Sequence, residues 1–307
     1  MRPVLRPGLR LVRQPSGGAA LVERHAVYRL DPVTADLLGA LDGLRDDTGL
    51  LARHPQPEAA AAAWARLLRA GVVVDVETPA RLARDLDEPV RPHALREATT
   101  LLAYDPAGAE GAWHRRRRAR VAVHGRGALA GPVAQLLEQA GVGVRQTDDA
   151  TATADLTVLT DDHEPASDVV ERLMREGRPH LLAGLRGVEG LVGPLVLPGT
   201  TPCLRCVDLG RRMRDPAWGA VRDQLATPDP LTRLTATPAS GVVVAAAGAL
   251  AVAEVLAQVE GRTASALGTT WTLSLHRPVP EATTWPVQPS CGCAWHAHAA
   301  ARGQWSA

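Results

Sequence analysis

A chain of 307 residues is long enough for two domains with a sizeable core. With 34 basic and 33 acidic residues, net charge +1 and 46% hydrophobic content, it describes an ordinary soluble protein, with no reason to expect nucleic acid or a membrane as partner. Lys, Phe, Ile and Asn are missing altogether, so no lysine can form a Schiff base, neutralise a nucleotide phosphate or complete a Walker A loop. All four types depend on A/T-rich codons, and a GC-rich genome is the simplest cause.

The N-terminal stretch MRPVLRPGLRLVRQPSGG is punctuated by Pro and Gly and has no apolar run of the secretory type, which points to a cytoplasmic protein. Residues 1–77 read as a small α/β module. Gly8 to Gln14, Ala19 to Glu23 and Ala26 to Leu30 are short strand candidates, separated by Pro15-Ser16-Gly17-Gly18 and by Arg24-His25. Asp31-Pro32 supplies an N-cap and a first-turn proline for a helix over Val33 to Leu44, with Val33, Leu37, Leu38 and Leu41 on one side. A second helix is expected over Thr48 to Arg53. A third, opened by Pro57-Glu58, runs past Trp64, Leu67 and Leu68 to Gly71, before a strand at Val72 to Val74.

Residues 78–118 are charged and proline-dotted, and read as a connector with one or two helices that ends in a solvated run, Arg115 to Arg118. A second domain, 119–307, opens with a buried-type strand over Arg120 to His124. There follow a glycine turn, a helix over Pro132 to Ala140 and a strand over Val142 to Gln146. A strand over Asp155 to Leu159, a helix over Val169 to Glu176 and a strand over His180 to Leu185 come next. Strand, glycine turn, helix, strand is the opening of a Rossmann-like, doubly wound sheet.

The turn, Gly125-x-Gly127-x-x-Ala130, fits the dinucleotide fingerprint in which glycine lets backbone approach a phosphate at a helix N-terminus. A tight turn in any such fold also favours glycine, so binding of a nucleotide by Gly125, Gly127 and Ala130 and a purely structural turn stay open together. Asp148 or Asp149 could hydrogen-bond a ribose, or be ordinary loop acids. Gly241 to Ala257 is Ala-rich and interrupted by Glu254, which suits a buried helix better than a membrane span.

The four cysteines form a CxxC, Cys203 and Cys206, and a CxC, Cys291 and Cys293. Two thiolates from a turn and two from a glycine-hinged pair complete the tetrahedral sulfur shell that zinc prefers. A closed shell leaves no open position, so one structural zinc ion stapling the end of the chain to its domain is expected. A mixed set that draws on His296 or His298, and redox or disulfide chemistry, are the rival readings.

The segment from Gly193 to Cys206, ending in Pro198-Gly199-Thr200-Thr201-Pro202-Cys203-Leu204-Arg205-Cys206, resembles the P-G-x-T-P-C-x-x-C of ThiF/MoeB-type proteins, the ubiquitin-activating-like superfamily. Glu254 in AVAEVLAQVEG looks like the family's following helix, and Pro289-Ser290-Cys291-Gly292-Cys293 like its closing cysteine pair. The resemblance runs from about Arg120 to the C-terminus. It implies ATP-dependent adenylation of a C-terminal carboxylate, with Mg²⁺. This sequence departs from that pattern. The family builds its site after the second strand from an acid, an N-x-x-R-Q-type segment and a lysine, whereas here only a short loop links Val144 to the strand at Asp155, and Asn and Lys are absent. Adenylyl chemistry needs cations against the developing charge, and arginine does not reproduce lysine's geometry. Use of ATP is therefore not expected.

The first module is similar in element order and size to PqqD-like, winged-helix-like modules, which imply capture of a precursor peptide's leader as an added strand. Val27, Tyr28 and Arg29 on the strand, and Trp64 on the third-helix face, are the candidate contacts; the alternative is that these residues build the module's own core. Together the two resemblances imply the leader-binding partner of a YcaO-type cyclodehydratase in thiazole/oxazole-modified peptide biosynthesis. A homodimer is implied by the ThiF resemblance alone. The alternatives are an ATP-dependent ThiF-type adenylyltransferase and an NAD(P)-binding oxidoreductase.

Overall fold

The chain begins with four short strands, β1 (Pro3–Leu5), β2 (Leu9–Arg13), β3 (Ala19–Glu23) and β4 (Ala26–Leu30), seen in a computed structural model that describes residues 1–13, 18–149, 152–161, 165–225 and 240–293. Part of the expected first loop, Gln14 to Gly17, lies outside the described residues. Strands β2, β3 and β4 form a three-stranded antiparallel sheet in that order, in register from Glu23↔Ala26 to Ala19↔Leu30.

Helix α1 (Pro32–Gly39) starts at the expected cap: the Thr34 N–H donates to Asp31 Oδ1 at 2.9 Å and the Thr34 hydroxyl to Oδ2 at 2.7 Å. It stops five residues short of Leu44. The reason is local, because Asp42 Oδ1 accepts the N–H groups of Leu44 (2.9 Å) and Arg45 (3.0 Å), a turn that competes with helix. Those bonds hold the Asp42 carboxyl down to about 2.

Helix α2 (Asp47–Ala52), capped by Asp46, and α3 (Pro57–Arg69) follow, then β5 (Val73–Asp75), which pairs antiparallel with β1. Leu9, Leu21, Leu37, Leu38, Trp64 and Leu67 meet in the core of this module.

Residues 78–118 hold three helices, not one or two: α4 (Thr78–Leu82), α5 (Arg91–Tyr104) and α6 (Ala109–Arg118). They have their own core, in which Ala94, Ala98, Leu101, Leu102 and Trp113 pack with Val74 of β5, and the Trp113 indole donates to the Leu82 carbonyl at 2.9 Å. Small alanines make that apolar stripe, which is why the charged residues between them dominate the sequence pattern. The chain divides into two compact units within α6, Met1–His114 and Arg115–Ala307.

The arginine run is likewise the last turn of α6 and not a solvated linker. Arg116 is only 4% exposed and donates to Glu260 Oε1 at 2.6 Å, while Arg262 donates to Glu260 Oε2 at 2.7 Å.

In the second unit come β6 (Arg120–His124), α7 (Ala130–Gln139), β7 (Gly143–Thr147), β8 (Leu156–Leu159), α8 (Ser167–Arg175), β9 (His180–Arg186) and β10 (Glu189–Val196). They are followed by α9 (Leu204–Arg214), α10 (Trp218–Leu225), α11 (Gly241–Val259), β11 (Thr269–Ser274) and β12 (Arg277–Thr284). One seven-stranded sheet runs β12-β11-β10-β9-β8-β6-β7. The doubly wound pattern holds from β7 to β9, all parallel, and then stops. A two-residue turn at Gly187-Val188 joins β9 to β10, and a hairpin of that length forces antiparallel pairing, which continues through β12. The protein is thus a mixed α/β fold. Strand β12 ends the sheet with Pro278 and Pro280, residues that cannot donate to a further strand.

Helix α11 is the one helix among the described residues that is long and apolar enough to cross a membrane. Here its Val243, Ala247, Ala251 and Val255 are buried in the sheet's core. A side chain on Gly190 of β10 would stand 2.8 Å from the Ala247 Cβ, so glycine is what admits the helix so closely.

His180, at the start of β9, is fully buried; Nδ1 donates to the Arg178 carbonyl at 2.9 Å and Nε2 has no partner. Burial lowers its pKa below the ordinary 6.5. Below that ordinary value the unfolded chain takes up a proton that the folded chain resists, so His180 contributes acid destabilisation as pH falls from 6.5 toward the folded pKa. His180→Gln should flatten that slope in urea titrations; an unchanged slope would remove His180 as its source.

Candidate metal centre

The CxxC lies where a loop becomes a helix. In Pro198-Gly199-Thr200-Thr201-Pro202, Gly199 takes φ +80°, and the Leu197 N–H donates to Thr201 Oγ1 at 2.8 Å. Cys203 then sits at the N-cap position of α9, and Cys206 one turn along on its buried side. A helical turn therefore brings both thiols to one point. The CxC arrives from the other end of the sequence, on a 3-10 turn over Pro289–Cys291, and Gly292 at φ +77° swings Cys293 back toward Cys291. Trp285 anchors the incoming segment. Its indole donates to Thr270 Oγ1 at 2.9 Å and its ring lies against Gly210 of α9.

The Cys203 and Cys291 sulfurs are 3.5 Å apart, those of Cys206 and Cys293 3.4 Å, and those of Cys203 and Cys206 3.9 Å. All four lie within 4.8 Å of one another and could hold a metal ion. Zinc–sulfur bonds of about 2.3 Å in a tetrahedron put neighbouring sulfurs about 3.8 Å apart, so the spacing is compatible with zinc. It is too long for a disulfide, which needs about 2.05 Å, and all four cysteines are free. His296 and His298 lie outside the described residues.

Charge within the cluster is uneven. The Cys203 thiol and the Gln288 N–H, at 3.3 Å from sulfur, favour a thiolate on Cys206 and draw its pKa down to about 5. Cys203 is pushed up by its hydrogen bond to Cys206 and by burial, and Cys293 rises to about 12 chiefly through burial. Four thiols gathered in a half-dry site resist ionising together, and a divalent cation is what would let them do so.

The glycine turn is at the carboxyl end of β6, between β7 and β8, where a parallel sheet leaves its crevice. Gly125 has φ +99°, and the space a Cβ would take is filled by the Asp161 carboxylate, which follows β8. The Arg126 guanidinium pairs with Asp148, one of the two candidate ribose ligands. Nothing in the sequence pattern singled out Asp161; the signal available was an acid two residues past the strand beside β6. Glu254, buried in α11, accepts from the Ser265 hydroxyl and from the Ala266 N–H (2.7 Å), a role in holding the turn ahead of β11.

In the first unit, Val27 and Tyr28 are 62% and 53% exposed on β4, with Arg29 exposed beside them. Trp64 is 5% exposed in the core, which is the alternative reading of that residue.

The fold is that of known structures. A heterocyclase in complex with substrate and cofactor matches at TM-score 0.70 and 16% identity over 95% of this chain and 39% of its own. The heterocyclase TruD matches at TM-score 0.67 and 17% identity over 95% of this chain and 42% of its own. E. coli MccB, solved with MccA-N7isoASN, matches at TM-score 0.63 and 14% identity over 96% of this chain and 99% of its own. The chain thus spans about two fifths of the heterocyclase chains and nearly all of MccB. Its sequence matches no family model and no curated protein.

Proposed function

We propose that the protein binds the leader of a ribosomally made precursor peptide and presents it to a YcaO-type cyclodehydratase, as a scaffold without adenylation activity of its own. The observation that carries this reading is β4. It is an edge strand of a three-stranded sheet, exposed along most of its length, and free of the prolines that close β12. In a ladder closed at Glu23↔Ala26, antiparallel alternation turns the N–H groups of Val27 and Arg29 to the open side, where an extended peptide would add a strand. Likeness to heterocyclases supports the pathway, and the first module's resemblance in element order and size to PqqD-like modules supports the leader. In this reading Cys203, Cys206, Cys291 and Cys293 hold one structural zinc ion. The partners are the leader and the cyclodehydratase, with a second copy of this chain implied by resemblance only.

The test is a titration of labelled leader peptides encoded beside this gene. Val27→Pro or Arg29→Pro each remove one outward donor while leaving the β3 ladder intact, and should weaken binding by roughly tenfold, about 1.4 kcal/mol. If neither variant changes the affinity, or the unaltered protein binds no leader, the reading fails.

Adenylation is the second reading, favoured by the full-length match to MccB, a protein also solved with ATP. Against it stand the absence of Lys and Asn and the shortness of the link between Thr147, which ends β7, and Leu156, which opens β8. Peptide-dependent pyrophosphate exchange would decide for it.

A further inference from the structure

The crevice at the carboxyl ends of β6, β7 and β8 is where a parallel sheet takes a nucleotide, and the Gly125 turn is its phosphate-facing part. Two glycines, Gly125 in the turn after β6 and Gly184 on β9, make room there, and both make room for the same residue. The Cβ position of Gly125 is filled by the Asp161 carboxylate, and a Cβ on Gly184 of β9 would stand 2.5 Å from the Asp161 carbonyl oxygen. Asp161 Oδ1 faces the Arg126 N–H at 3.4 Å, and Oδ2 lies 4.0 Å from His124 Nδ1. The Arg126 guanidinium, the cation nearest the turn in sequence, is turned to Asp148 at the end of β7.

We propose that Asp161 is the internal anion of the glycine turn, its carboxylate lying where a nucleotide phosphate would lie and excluding nucleotides from the crevice. This inference rests on the reading of the second unit as a non-adenylating scaffold. Glycine at 125 then has a reason that needs no nucleotide: a carboxylate requires the same close approach to backbone as a phosphate does. A second anion brought to the turn would meet Asp161 at contact distance and Asp148 nearby, with their cationic neighbour already paired.

The experiment titrates Mg²⁺-ADP calorimetrically into the full chain and into Asp161→Ser and Asp161→Asn, with zinc content and circular dichroism checked for each. The unaltered protein should show no saturable binding at millimolar ADP, while Asp161→Ser should bind roughly tenfold or more tighter than that bound allows. Asp161→Asn keeps the size of the side chain and removes its charge; it should also gain binding, and it carries the test if the serine variant does not fold. Saturable binding to the unaltered protein, or folded variants as inert as the parent, would overturn the proposal. Leader titrations on the same samples separate the two readings. Intact leader binding with inert Asp161 variants defeats this inference alone, and absent leader binding defeats the scaffold reading whatever ADP does.

Discussion

Purified protein should contain one zinc ion per chain, and Cys206→Ser should lose that zinc and most of the second unit's stability. Cys206 is fully buried, with sulfurs of the other three cysteines around it and the Gln288 N–H pointing at its own. Structural zinc contributes apparent binding free energies of about 10–16 kcal/mol in small zinc domains, and that energy is folding energy where the site forms only on folding. An ion held by the four sulfurs would join α9 to the segment after Trp285, linking Cys206 to Cys291, 85 positions further along the sequence. Even a third of that energy would correspond to a drop in melting temperature of roughly 10 °C for a unit of this size. A strong chelator should act like the substitution, and acid should strip the metal because protons compete for thiolates. Metal analysis together with calorimetry is the check. Protein that is metal-free yet melts as the zinc-replete sample does would refute the structural assignment.

Replacing Glu260 by alanine should be nearly as damaging. Side chains of Arg116 and Glu260 are 5% and 2% exposed, and their closest approach is 2.5 Å. Removing the acid leaves a buried guanidinium without its carboxylate, and breaking a buried ion pair in this way typically destabilises by about 3–5 kcal/mol. The reverse truncation, Arg116→Ala, leaves Glu260 with Arg262 at 2.7 Å, so it should cost less. Denaturant unfolding of the two variants gives the comparison, and equal losses would mean that Arg262 does not compensate.

Features written in short, local patterns were legible in advance. The Asp31-Pro32 cap, the strand over Arg120 to His124, the buried helix from Gly241 and the pairing of CxxC with CxC each depend on a few neighbouring residues or on an unusual residue type. β1 was invisible because three residues beginning with proline show no alternation, and its partner is Val73–Asp75, far along the chain. Helices α4 to α6 were compressed into a connector because alanine carries little apolar signal. The buried state of Arg116 was hidden by three exposed arginines around it and by a partner 144 residues away.

By itself, then, the sequence determined the chemistry on offer: four thiols in two closely spaced pairs, a glycine turn after a strand, and a chain without lysine or asparagine. Tertiary structure decided which groups meet. It drew the four sulfurs to within 4.8 Å, put Asp161 against Gly125, buried Trp64 and left β4 at an open sheet edge. The physical reason is range. Caps, turns and residue types act over a few residues, whereas a metal shell, an internal anion or an unpaired edge depends on where distant strands end once the sheet has formed.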